Sequence, residues 1–247
     1  MKVRMTMAWV ILWGLAAARL AGQAPVVPAG PEEKFCQAAL AGREAEVAAM
    51  LAADPGLASA KDQHGISALM LAVYGDRAAV VRLILARRQD DLSVFEAAAL
   101  GRDEVLEAVL RQDPGQARAF GPDGFTALHL ASFFGHPRAQ ELLLRAGAEV
   151  DAYSRNKFHA APLQSAAAAR QLEAARVLLL HGADPNCRGE GSYTPLHEAA
   201  ATGQVELVRL LLSYKADVTA RGDDGKTPWE LASPQSAVRQ LLGKEGK

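Results

Sequence analysis

Cysteine is nearly absent. Only Cys36 and Cys187 occur in 247 residues, whereas a disulfide-stapled scaffold shows four or more at regular spacing. Aromatic side chains make up 6% of the chain, so its core cannot rest on large rings. The formal charge of −1 provides no basic field for nucleic acid. No glycine-rich phosphate loop of the G-x-x-x-x-G-K-[ST] type appears, and no G-x-S-x-G nucleophile elbow. The histidines do not form a metal set either. His64, His159 and His181 stand alone, and zinc needs three or four converging ligands. His181 and Cys187 are the closest pairing, and Asp184-Pro185-Asn186 between them reads as a turn. Carboxylates such as Glu44, Glu46, Glu104 and Glu107 fall on solvated helix faces. No catalytic residue, cofactor or metal is therefore expected, and the chain is not read as an enzyme.

What is present is an apolar half rich in alanine. Alanine has the highest helix propensity, and its small side chain lets helices approach closely. The first residues are a separate text. Lys2 and Arg4 precede an uncharged run, Met5 to Ala18, that Arg19 closes. The run is shorter than the ~20 residues a membrane-spanning helix needs, and small residues follow it. This order is that of a secretory signal peptide, cut between Ala18 and Gly22. The expectation is a leader over 1–22, a linker over 23–32 and no stable membrane anchor. Removing 1–22 takes away Lys2, Arg4 and Arg19, leaving a mildly acidic chain, secreted or periplasmic.

Repetition organises the remainder. Thr194-Pro195-Leu196-His197 returns as Thr126-Ala127-Leu128-His129, and more loosely as Ser67-Ala68-Leu69-Met70, Ala161-Pro162-Leu163-Gln164 and Thr227-Pro228-Trp229-Glu230. Gln164, His197 and Glu230 are 33 residues apart. A break follows each of these motifs, as at Gly135, Arg170 and Gly203, and then an apolar triplet such as Leu142-Leu143-Leu144 or Leu210-Leu211-Leu212. A period near 33 marks a stacked array. Asp54-Pro55-Gly56 and Asp113-Pro114-Gly115 add a 59-residue step, as if a pair of units had been duplicated. Between Arg88 and Ser93 no hairpin is legible.

Each unit reads as two antiparallel helices. Thr194 can cap a helix whose first-turn Pro195 lacks only an N–H that would be unpaired anyway. Leu196, Ala199 and Ala200 share one face. Gly203 ends that helix, and a second helix carries Val205, Val208, Leu211 and Leu212 inward. Lys215 stands where Gly147 and Gly182 stop other helices, so a left-handed backbone is expected there. One such pair cannot bury its apolar face alone; stacked neighbours close the core.

Thr194-Pro195-Leu196-His197-x-Ala199-Ala200 with Gly203, the Thr126 copy with Gly135-His136, and Gly182-Ala183-Asp184-x-Asn186 resemble the ankyrin repeat family. The resemblance implies an all-α ankyrin-repeat solenoid of six to seven helix-turn-helix repeats over 33–243, with a polar tail at 244–247. It gives His129 and His197 a structural role in linking loops and leaves His136 an ordinary loop residue. It also implies recognition of a protein through a concave face of hairpin tips and first helices. In those slots stand the aromatics Phe120, Phe125, Phe133, Phe134, Phe158 and Tyr193. Arg155, Arg188 and Arg221 recur there at steps of 33. Aromatics and arginine are frequent interface anchors, and arginine's planar fork suits carboxylates; the other reading of the same residues is that Phe125 and one of Phe133 and Phe134 pack inside while the arginines pair with Glu190, Asp223 or Asp224. The expectation is a monomeric protein-interaction module that binds an acidic segment of an unidentified protein partner. The alternative is an inhibitor that blocks a particular enzyme in the periplasm or extracellular space.

Overall fold

The computed structural model describes residues 30–88 and 91–245. The expected leader, and the linker up to residue 29, lie outside the described residues. Helices are the only regular elements among the described residues, apart from two isolated antiparallel bridges, Lys61–Ser67 and Phe120–Thr126.

The chain divides into two compact units at Glu96/Ala97. The first holds α1 (Pro31–Ala41), α2 (Glu44–Ala53), α3 (Ala68–Tyr74) and α4 (Ala78–Arg88). There α1 packs on α3 and α2 on α4, so first helices stack on first and second on second. The dividing point falls within α5 (Val94–Leu100). The second unit continues with α6 (Asp103–Gln112), α7 (Ala127–Phe134), α8 (Pro137–Arg145), α9 (Pro162–Ala168) and α10 (Leu172–Leu180). It ends with α11 (Pro195–Thr202), α12 (Val205–Ser213), α13 (Pro228–Leu231) and α14 (Ala237–Glu245). First helices α7, α9, α11 and α13 stack in order, and second helices α6, α8, α10, α12 and α14 form the next layer.

The expected punctuation is present. The Thr126 side chain accepts from the His129 backbone while the His129 ring caps the Thr126 N–H. Gly135 and Gly203 end their helices left-handed. So does Lys215, with φ +64°, and Arg170 with φ +63°. Helix bounds and burial differ from the expectation in three places. Helix α1 starts at Pro31, inside the expected linker, because proline at the first position and Glu32 and Glu33 in the first turn favour a helix start. Helix α14 runs to Glu245, past the boundary expected at 243. Finally, α12 buries Leu207, Val208, Leu210 and Leu211, while Val205 and Leu212 are half-buried. This helix is flanked by α10 and α14 as well as by its own α11, so its apolar stripe is wider than a single-sided helix would have.

Candidate protein-docking surface

The site begins with the third residue of each first helix. The His129 ring accepts from the Thr126 N–H through Nδ1 (3.2 Å), and its Nε2 donates to the Ala160 carbonyl of the next repeat (2.8 Å). His197 does the same between the Thr194 N–H (3.0 Å) and the Lys226 carbonyl (3.1 Å). Gln164 plays this part in its repeat, accepting from the Ala161 N–H and donating to the Tyr193 carbonyl, each at 2.9 Å. Each side chain caps its own helix and holds the next hairpin. Burial pushes the His129 pKa down to about 4 and that of His197 below its ordinary value, consistent with rings that serve as neutral brackets.

A second set of brackets was not foreseen. His136 Nε2 donates to the Ala99 carbonyl at 3.0 Å, and Gln204 Nε2 to the Ala167 carbonyl at 2.8 Å. In the first unit Arg77 donates likewise to Leu40. Each follows a helix-ending turn and reaches 37 residues back. His136 is therefore a link between repeats and not an ordinary loop residue. The legible signal was a long N–H donor recurring at one repeat position.

These brackets fix a row of tips in the second unit. Arg155 N–H donates to the Gly124 carbonyl (2.8 Å), Asn156 Nδ2 to Asp123 O (2.9 Å), Glu190 N–H to Phe158 O (2.9 Å) and Asp223 N–H to Gly191 O (2.8 Å). At Gly124 a Cβ would stand 2.9 Å from the Arg155 backbone, and φ is +80°, so only glycine fits this close approach.

The candidate anchors separate on this frame. Phe125 and Phe158 are buried, 5% and 6% exposed, and stack at 6.2 Å. They are withdrawn from the surface, because successive loops press together there and need apolar filling. Phe120 is half-buried beneath the Arg155 guanidinium, 3.8 Å from its ring centre. Phe133 and Phe134 are half-buried at the end of α7, edge to face at 5.2 Å. Tyr193 is half-buried, stacks on His197 at 5.1 Å and donates to Asp224 at 2.9 Å.

Arg155, Arg188 and Arg221 are all exposed. Arg188 donates to the Ser192 and Arg221 carbonyls at 3.1 and 2.9 Å, tying one tip to the next. Arg221 donates to Gly225 O at 2.6 Å and stands 3.8 Å from Glu230. A guanidinium carries five donors, so these bonds orient each group and leave capacity for a carboxylate. Beside the tips, first-helix residues Ala169, Ala201, Thr202 and Glu198 are half-buried, and Ala168 is buried.

Other chemistry is sparse. Cys36 and Cys187 are buried and not joined in a disulfide, and burial pushes the Cys187 thiol up. Among the described residues no group of three or more His, Cys, Asp or Glu could hold a metal ion. No described helix is long and apolar enough to cross a membrane.

Stacked helix pairs joined by bracketed hairpin tips define a repeat protein. The family of ankyrin repeats (three copies) matches residues 94–189 and 163–247, more than half of the sequence. This chain belongs to the ankyrin repeat family and is a protein–protein interaction module. It is also similar to a rice protein (Oryza sativa subsp. japonica) named as a probable E3 ubiquitin-protein ligase, 39% identical over 103 residues. That match covers 41% of this chain and 23% of the relative.

Proposed function

We propose that the second unit binds a protein segment through its hairpin tips and first-helix face, with no catalysis of its own. The tips carrying Arg155, Arg188 and Arg221 present positive groups to acidic side chains, while Phe120, Phe133, Phe134 and Tyr193 supply apolar contact. The observation that carries this reading is the tip-to-tip bonding, above all Arg188 to the Arg221 carbonyl. It holds the exposed guanidinium row ready before a partner arrives, and preorganisation lowers the ordering cost of binding. The ligase activity in the rice relative's name is not carried over, since 23% of that protein is shared.

We also propose that residues 1–22 direct export and are removed, so that the partner is extracytoplasmic. The test is affinity purification from the exported fraction with the wild type and with Arg155→Ala/Arg188→Ala/Arg221→Ala, checked by circular dichroism for intact helix. The partner is expected to be lost with the triple variant. Equal recovery would remove the arginine row from the site. Mass analysis of the exported chain should find it shortened at a bond between Ala18 and Gln23; a chain retaining its leader would refute export. If the partner is an enzyme, stoichiometric loss of its activity would make this module an inhibitor.

A further inference from the structure

We propose that Glu198 receives a lysine or arginine side chain of the partner, so the docked segment carries a basic residue alongside the acidic ones that face the tips. This rests on the docking surface above and assigns one further contact within it.

The argument starts from α11. Pro195, Leu196, His197, Ala199 and Ala200 are buried, while Glu198, Ala201 and Thr202 are not. That spacing of three and four residues places Glu198, Ala201 and Thr202 on one open stripe. The equivalent position holds Leu130 in α7, Ser165 in α9 and Leu231 in α13, so a carboxylate stands where other repeats place an apolar or small group. Nothing on its own helix answers it. The residues three and four away are Thr194, Pro195, Ala201 and Thr202, and the Thr202 hydroxyl donates to the Glu198 backbone carbonyl at 2.6 Å. The flanking helices α9 and α13 carry Ser165 and Leu231 at the equivalent position, neither of them charged. Arg170 reaches α11, but its Nη1 donates to the Thr202 carbonyl at 2.7 Å.

A half-buried carboxylate without a counter-charge is unfavourable to the free protein. Burial accordingly pushes its pKa up. The carboxylate is also close enough to Tyr193 to disfavour ionisation of the phenol. An ammonium or guanidinium arriving there would pair in a partly desolvated place, where charge-assisted hydrogen bonds are strong.

The experiment selects a phage-displayed library of random linear peptides on the full chain and on Glu198→Gln. Wild-type binders are expected to share a lysine or arginine whose alanine replacement weakens binding. The same peptides should bind Glu198→Gln at least about tenfold more weakly, the loss typical of removing one member of a desolvated pair. The melting temperature of Glu198→Gln should be unchanged or higher, which a merely structural role would not give. Peptides weakened by the triple arginine variant but indifferent to Glu198→Gln would keep the docking surface and overturn this assignment. Peptides indifferent to both variants, or a library yielding no binder, would overturn both.

Discussion

His129 shows how far one side chain can set solution behaviour. Its Nδ1 must keep a lone pair for the Thr126 N–H while Nε2–H donates to Ala160, so a second proton would break the cap. The folded pKa, about 4 against an ordinary 6.5, lies below the unfolded one. Between those values the unfolded chain takes up a proton that the native chain refuses. Stability is therefore full above about pH 6.5 and falls on acidification toward pH 4, by roughly 3 kcal/mol for this ring. His197 is shifted the same way and adds to the loss. Gln164 performs the same bracketing without titrating. His129→Gln should thus flatten the urea-derived stability profile across that window, with neutral-pH stability changed by about 1 kcal/mol or less; an unaltered acid slope would show that the proton is taken up elsewhere. Lys215 offers a simpler test. It is exposed, with φ +64°, and α12 stops there without glycine. A left-handed non-glycine residue costs about 1 kcal/mol, so Lys215→Gly should raise the urea midpoint. Arg170 shares the conformation but holds the Thr202 carbonyl, so Arg170→Gly should gain less or lose stability.

At the scale of elements, the place where sequence pattern fails is the junction before α5. No hairpin is legible between Arg88 and Ser93, and a buried ion pair stands there instead. Glu96 accepts from Arg88 at 2.6 and 3.1 Å, from the Ser67 hydroxyl at 2.6 Å, and from the Ser93 N–H and hydroxyl at 2.9 Å each. Arg88 also donates to the Asp91 carbonyl. Although burial alone would raise the Glu96 pKa, the bonds from Arg88, Ser67 and Ser93 together hold it below the usual carboxylate value. Its contribution is present above the ordinary carboxylate range and is lost as pH falls through the folded pKa. Glu96→Gln leaves a buried guanidinium unanswered and should cost about 3–5 kcal/mol in chemical denaturation, whereas Arg88→Met with Glu96→Met should recover most of it. A double variant no better than the single would mean that the hydrogen bonds of the serines dominate. Repetition made the helices, their caps and the stacking legible, because Thr194, Pro195 and Gly203 act through their own backbone. At Phe125 the sequence leaves both readings open, core filler or surface anchor, since whether an aromatic fills a seam or faces solvent depends on the next loop. The solitude of Glu198 is not legible, because it depends on what two other repeats fail to supply. The arginine row was legible in its spacing but not in its bonds to the Ser192 and Arg221 carbonyls.

At the scale of the whole molecule, the bonds that join repeats within each unit span 29 to 37 residues, from Gln164–Tyr193 to Gln204–Ala167. Within its unit each repeat is thus held by its immediate neighbours, and stability becomes a sum of local terms. The repeat of α13 and α14 is weak by its own geometry. Its first helix, α13, has four residues, and Ser233-Pro234 follows before a second helix can form. Trp229 sits on it, 40% exposed, with the Arg239 guanidinium 3.8 Å from the ring centre. The other tryptophans, Trp9 and Trp13, fall in the expected leader. In the chain lacking residues 1–22, tryptophan emission therefore reports the last repeat alone, while far-ultraviolet circular dichroism reports every helix. A deficit of one or two kcal/mol in this short-helix repeat should place the emission midpoint in urea below the circular dichroism midpoint by roughly 0.5–1 M. Arg239→Ala, which removes the stacked cation, should widen that gap by loosening this repeat alone. Coincident midpoints in both proteins would mean that α13 and α14 unfold together with α7–α12, and that the coupling between repeats is strong enough to erase the difference between a four-residue first helix and the longer ones.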